Sequence, residues 1–186
     1  MTTLVTERLE VRNFTVDDAL VLREMVLQYQ ASAYAVYDHK WPTSADEIRG
    51  VAEWFAGGDR FLAVCLRDTG RFIGFVSLGA TEGTNDTVYS LGYCFDFDYH
   101  GGGYATEACQ AALAHAFDVL EADKVTSGTA AANEPSCRLL ARLGFRRVGE
   151  QTASFWTDAD GAPIEFLAYS FVLDRGDWIG SSTHTE

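Results

Sequence analysis

The chain has 186 residues, 47% of them hydrophobic, and its 27 acidic against 14 basic residues give a formal net charge of −13. That is apolar material for one substantial core, so a single domain over residues 1–186 is expected. The acidic excess argues against sequence-independent nucleic-acid binding, which depends on neutralising phosphates.

No apolar run reaches the about 18 residues that a membrane span needs, and the first residues lack the basic-then-apolar layout of a secretory signal. Cys65, Cys94, Cys109 and Cys137 have no metal-ligand spacing and each sits in an apolar pattern. They read as buried thiols in a reducing cytoplasm, and no metal is expected.

In chain order, Arg8 to Phe14 alternates as a first strand. Thr15 and Asp18 then start a helix running to about Gln30, with Thr15 as its cap. Tyr34 to Pro42 is too polar and irregular for a helix. Thr43 or Ser44 caps the next one, in which Ile48, Val51, Ala52 and Phe55 recur at helical spacing before Gly57-Gly58. Phe61–Leu66 and Phe72–Leu78 form a hairpin around Asp68-Thr69-Gly70. A polar loop over 79–87 leads into the strand Val88–Phe95. After a glycine stretch, an alanine-rich helix reaches about Leu120, followed by a short strand Lys124–Thr129. Pro135 suits the first turn of a helix closing at Gly144. Arg147–Trp156 and Ile164–Leu173 make a last hairpin around 158–161. The ordered fold is expected over about 6–173, with a polar tail at 174–186. This order describes an α/β domain with a largely antiparallel sheet.

The chain is organised around Tyr99 to Ala108, Tyr-His-Gly-Gly-Gly-Tyr-Ala-Thr-Glu-Ala. A strand, a glycine turn and a helix start form a natural anion site, because the first helical turn has unpaired N–H groups and a partial positive charge. Glycines let a ligand approach the backbone closely. The bland alternative is a turn that merely connects two elements. The run lacks the Gly-Lys-Ser/Thr ending of a triphosphate-binding loop, and Thr106 stands where a dinucleotide fingerprint has its third glycine.

The run resembles the coenzyme A pyrophosphate loop of the GNAT acetyltransferases, Gln/Arg-x-x-Gly-x-Gly/Ala, with His100, Gly103 and Ala105 in the three positions. Its Gly-x-Gly-Tyr-Ala-Thr-Glu-Ala form is similar to the RimJ/RimL-like branch, which acetylates N-termini of ribosomal proteins and usually has Trp where this chain has His100. A second motif follows in the family's order: Asn133 and Ser136 match its Asn-x-x-Ser spacing, and Gly144-Phe145 its helix ending. The resemblance implies a single GNAT-like domain, a mixed, mostly antiparallel sheet of about seven strands flanked by about four helices. It implies acetyl-CoA as co-substrate, held by Tyr93, Cys94, Phe95, His100, Gly101, Gly102, Gly103, Tyr104, Ala105, Thr106 and Asn133.

In the family the asparagine bonds the pantetheine arm and the serine lies near the sulfur. Here the helix wheel puts Ser136 on the stripe of Leu139, Leu140 and Leu143, where a hydroxyl should find a partner. That partner is either the leaving sulfur's proton chemistry or a backbone carbonyl one turn back. Leu140 occupies the position where many relatives carry an acid tyrosine, leaving Ser136 as the candidate acid. Ser90 occupies the position where the branch often has a glutamate base. Asp38, His39 and Glu165 are the remaining candidate bases, each also readable as a solvated surface group.

Acetyl transfer to an amine asks little of side chains. An α-amino group with a pKa near 8 is already partly neutral at pH 7, and a thiolate leaving group needs only a weak donor. Tyr37, Asp38, Trp41 and Ser90 are the candidate acceptor residues. Arg138 and Arg142, opposite the leucines, either meet the nucleotide end of the cofactor or balance the acidic surface. The acceptor is expected to be a primary amine, with a basic protein or peptide N-terminus favoured by the charge of −13. An amino acid, polyamine or aminoglycoside stays open, as does monomer or homodimer. A non-catalytic acyl-CoA-binding module is the first rival, with Ser90 and Leu140 in its favour. A nucleotide-phosphate enzyme is the second, and it lacks a phosphate lysine and a Mg²⁺ carboxylate near the turn.

Overall fold

The computed structural model describes residues 1–81 and 87–178. The middle of the loop at 79–87 and the end of the polar tail therefore lie outside the described residues. The elements run β1 (Thr3–Val5), β2 (Leu9–Asn13), α1 (Ala19–Gln30), α2 (Ala45–Ala56), β3 (Phe61–Leu66), β4 (Phe72–Ala80), β5 (Val88–Phe95), α3 (Tyr104–Ala114), β6 (Lys124–Ala130), α4 (Glu134–Arg142), β7 (Arg146–Thr157) and β8 (Pro163–Asp174).

The strands form one eight-stranded sheet in the order β1-β2-β3-β4-β5-β6-β8-β7. Among the described residues, only β5 and β6 pair in parallel. The sheet is mixed and mostly antiparallel, as expected, with one more strand than the sequence pattern indicated. That strand is β1, whose three residues are too few to carry an alternation. It forms because Leu4 lies opposite Val11 and the Thr2 amide donates to the Asn13 side chain at 2.6 Å. The helix after the glycine turn is also less regular than its alanines imply. It is α-helical to Ala114 and then widens into a π-turn over His115–Val119.

Local chemistry accounts for the boundaries. Thr15 enters α1 through a 3-10 turn, its amide donating to Asp18 Oδ2 at 2.8 Å. The same carboxylate takes both ends of the Arg12 guanidinium, at 2.8 and 2.9 Å. Burial works to raise the Asp18 carboxyl, but the Arg12 and Thr15 donors outweigh it and hold it below its ordinary value. Ser44 caps α2 by accepting from the Glu47 amide. Gly70 turns the β3–β4 hairpin at a φ of +70°, a region closed to most side chains.

The sheet carries a core on each face. On one side α1 and α2 cover Phe14, Phe72 and Phe75, with Phe55 at the centre and Phe61 stacked on it at 3.8 Å. On the other, α3 and α4 bury Leu113, Phe117 and Leu140 against Val11, Ile73 and Leu91. Each such side chain contributes about 1.5–3 kcal/mol on leaving water. Beyond these helices the β7–β8 hairpin reaches outward, and most of β7 is exposed.

Candidate active site

The site begins where the sheet opens. The parallel pairing of β5 and β6 runs only from Val88↔Lys124 to Ser90↔Thr126. The Ser127 hydroxyl then bonds the Leu91 carbonyl at 2.9 Å. From Gly92 to Phe95, β5 pairs with β4 alone, while β6 stays with β8 to its end. A wedge therefore opens along Tyr93, Cys94 and Phe95, the three strand residues expected to flank a pantetheine arm. The strand alternation sends Tyr93 and Phe95 to the α3–α4 face and Cys94 to the other. Burial pushes the Cys94 thiol up to about 12, with the nearby Asp38 charge adding to the effect. It is a packing thiol.

The wedge ends at the glycine turn. His100 folds back over it, its Nε2 donating to the Phe95 carbonyl at 3.1 Å and its ring lying 4.8 Å from that of Phe97. His100 thus closes the turn onto the strand end. Gly101 and Gly103 take φ of +78° and +81°, so the chain reverses through left-handed positions before Gly103 caps α3. A Cβ at Gly101 would meet open space, whereas one at Gly102 would strike the Tyr104 ring at 2.8 Å. Among the described residues, no loop or cap hydrogen bond uses the amides of Gly101 to Thr106. They form an open rim of donors, suited to an anion.

An open groove of about 460 Å³ borders this rim, lined by Thr6, Arg8, Gly103, Thr106, Glu107 and Arg142 among others. Arg142 donates to the Thr106 hydroxyl at 3.2 Å, whereas Arg138 pairs with Glu134 on the exposed side of α4. Of the two arginines singled out from the sequence, only Arg142 meets the loop. Arg8 was missed altogether. It reaches the loop from the position just before β2, donating to the Gly102 carbonyl at 2.9 Å and to Glu107 at 2.7 Å. Nothing near Arg8 in the sequence signals a partner 99 positions away.

On the other side of the wedge stands α4. Asn133 caps it, its Oδ1 accepting from the Ser136 amide at 3.3 Å, which leaves the side-chain amide nitrogen turned to other use. Ser136 is half-buried, and its Oγ lies 2.7 Å from the Tyr93 hydroxyl. Among the hydrogen bonds of the described residues, Ser136 Oγ meets the Tyr93 hydroxyl and no backbone carbonyl one turn back. Burial drives the Tyr93 phenol well above its ordinary value, against the opposing pull of the Ser136 bond. Tyr93 keeps its proton and can donate it toward Ser136 Oγ, which frees the serine hydrogen to point elsewhere.

The acceptor-side residues are scattered by comparison. Tyr37 packs on Phe166 of β8 at 5.2 Å. Asp38 is used within its own loop, accepting from the His39 amide at 2.7 Å and the Trp41 indole at 3.2 Å. Its carbonyl takes the Trp156 indole at 2.9 Å. Trp41 wedges against Phe55 and Phe75 of the core. His39 lies on Phe155 at 4.3 Å. Because Phe166 meets Tyr37, alternation along β8 puts Glu165 on the opposite face, away from this loop. Ser90 is exposed, between Gly79 and Thr126. The sequence reading missed Phe155, Trp156 and Phe166 as one wall of this region, because strand periodicity alone does not say which loop a hairpin will meet.

Comparison with known proteins bears on the family and the fold. The sequence profile described as "Acetyltransferase (GNAT) domain" matches residues 8–146. The chain is 27% identical to the "Putative ribosomal N-acetyltransferase YdaF" of Bacillus subtilis, covering 95% of this chain and 96% of that protein. Its fold is similar to a crystal structure of ribosomal-protein-S5-alanine acetyltransferase from Vibrio fischeri, with a TM-score of 0.75 and 19% identity over 96% of this chain and 99% of that one. It is similar also to spermidine N-acetyltransferase from Vibrio cholerae in complex with CoA and spermine, with a TM-score of 0.74 and 16% identity over 92% and 98%. With the profile spanning most of the chain and the glycine turn, wedge and α4 cap in place, the chain belongs to the GNAT acetyltransferase family.

Proposed function

We propose that the protein transfers an acetyl group from acetyl-CoA to the amine of a protein or peptide N-terminus, by direct attack of the amine on the thioester. One observation carries this reading. The open amide rim of Gly101–Thr106 lies at the end of the wedge along Tyr93–Phe95, and the wedge is bordered by the Tyr93–Ser136 hydroxyl pair. A diphosphate fits the rim without any lysine, since charge-assisted bonds to amides contribute about 1.5–3 kcal/mol each. The Asn133 side-chain nitrogen supports a pantetheine amide from the far side. Acetyl-CoA supplies the activated thioester.

Ser136 Oγ, oriented by the bond from Tyr93, passes a proton to the departing sulfur and regains one from the attacking amine, which loses a proton as the amide forms. The buried phenol holds its own proton, so Tyr93 positions the serine hydroxyl and is not itself consumed. No glutamate stands at Ser90, and Glu165 faces away. The reading therefore favours an acceptor that is partly neutral near pH 7, as an α-amino group is and an alkyl ammonium is not. The likeness to a protein named as a ribosomal N-acetyltransferase supports the same class. The reducing cytoplasm expected from the four cysteines is the setting this reading takes; among the described residues no helix is long and apolar enough to cross a membrane.

Thiol release on mixing acetyl-CoA with an amine panel tests this. Basic peptides with free N-termini should release thiol and their N-blocked forms should not. Binding of acetyl-CoA without release from any amine would make the chain a non-catalytic acyl-CoA module. Faster turnover of spermidine, amino acids or aminoglycosides would move the acceptor to the small amines.

A further inference from the structure

Glu107 stands in the first turn of α3, one residue past the donor rim, where a carboxylate works against any diphosphate held there. Its charge is not left open. Oε1 accepts from the Thr6 hydroxyl at 2.6 Å and from the Arg8 amide at 2.9 Å, while Oε2 takes Arg8 Nε and Nη2, both at 2.7 Å. Burial acts to raise this carboxyl, and the Thr6 and Arg8 donors outweigh it, so Glu107 is ionised at neutral pH. The remaining arm of the guanidinium, Nη1, donates to the Gly102 carbonyl at 2.9 Å, and the guanidinium lies 4.4 Å over the Tyr104 ring.

That last bond constrains the loop. In a trans peptide the C=O and the following N–H point in opposite directions. Holding the Gly102 carbonyl on Arg8 therefore aims the Gly103 N–H away from the guanidinium. Gly102 and Gly103, the second at a positive φ, have no side chain to resist a flip of the peptide between them, so an external hold is needed for a fixed donor direction. Arg8 is 43% exposed and Glu107 18%. A plain staple between β2 and α3 requires only the carboxylate bonds. The additional reach to Gly102 has no such purpose.

We propose that Arg8 is a positioning residue of the coenzyme site, which fixes the Gly102–Gly103 peptide and cancels the Glu107 charge beside the coenzyme's diphosphate. This rests on the placement of that diphosphate at the glycine turn. Arg8 here acts through the loop and the carboxylate, with its fork already filled by protein acceptors.

Calorimetry with coenzyme A and with phosphate-free S-acetylpantetheine tests the proposal without using turnover. Arg8→Ala should weaken coenzyme A by about tenfold or more and leave S-acetylpantetheine unchanged. Glu107→Gln, which keeps an acceptor for Arg8 and removes the charge, should bind coenzyme A as tightly as the parent or tighter. Arg8→Ala combined with Glu107→Gln should regain part of the loss. A double variant as weak as Arg8→Ala, or an equal loss for both ligands, would reduce Arg8 to a structural staple and overturn the proposal. If Arg8→Ala does not fold, Arg8→Lys keeps the charge and gives up the Gly102 bond. It should lose several-fold in coenzyme A alone, and parental affinity for both ligands overturns the proposal. Failure of the parent itself to bind coenzyme A would instead count against the placement of the diphosphate.

Discussion

The coenzyme side and the acceptor side of this molecule are built by different means. At the glycine turn, where we propose that the coenzyme's diphosphate binds, the available donors are backbone amides whose directions follow from two left-handed glycines, a helix start and the Arg8 and His100 bonds. At the Tyr34–Pro42 segment they are side chains contributed by distant elements: Tyr37 against Phe166, His39 against Phe155, Asp38 against Trp156. Backbone recognition tolerates little change, because any Cβ in the wrong place removes it. A wall of aromatic side chains changes by increments, so it can vary between acceptors while the thioester end stays the same. A coenzyme common to a family and an acceptor particular to each member call for this division.

The contrast can be broken most severely at Gly103. A valine there adds a branched side chain at a φ of +81° and within 3.4 Å of the Arg8 guanidinium. It should weaken coenzyme A by at least about 100-fold in calorimetry. Parental affinity would remove the loop assignment.

Ser136→Ala comes next. It should lower kcat by about 100-fold with little change in the coenzyme dissociation constant. Tyr93→Phe should show a smaller part of the same loss, and adding it to Ser136→Ala should cost nothing further, because both act through one hydroxyl. A loss below about tenfold for Ser136→Ala would make water the acid.

Smaller effects belong to the acceptor side. Tyr37→Ala should raise the peptide KM by about three- to tenfold and leave coenzyme binding alone, since its partner is Phe166 and not the wedge. A change in coenzyme affinity would mean that the two regions are not separate.

The mildest probe is salt. With a charge of −13, screening should raise the KM of a basic peptide by about two- to threefold more than that of a neutral amine of equal size. Asp38 is already held by His39 and Trp41, so the effect should come from the whole surface and persist in Asp38→Asn. An equal salt response for both acceptors would discard the electrostatic argument and leave the enzyme assignment untouched.

Much of this was readable along the chain because the signals are local. Apolar spacing located α2, and Val88–Phe95 matches the strand the sequence indicates. The glycine turn and the Asn133–Ser136 cap are contiguous motifs whose geometry is set by residues within a few positions of one another. Where a local rule was too weak, the reading fell short. Three residues do not announce β1, and alanine content does not foresee that the helix widens at His115.

By itself, then, the sequence determined the family, the order of nearly all elements and the two motifs on which the proposed coenzyme site rests, since each depends on short-range sterics and periodicity. Only the tertiary structure decided that Tyr93 supplies the hydroxyl beside Ser136, that Arg8 reaches Glu107 and Gly102 from the turn before β2, and that the last hairpin supplies aromatic partners for Tyr37 and His39. Those partnerships join residues 43 to 129 positions apart, from Tyr93 with Ser136 to Tyr37 with Phe166, and Glu165 is turned from the acceptor loop by the register of one strand. The physical reason is that helix and strand periods fix which face a residue occupies, whereas which faces meet is chosen by the packing of the whole sheet against its helices.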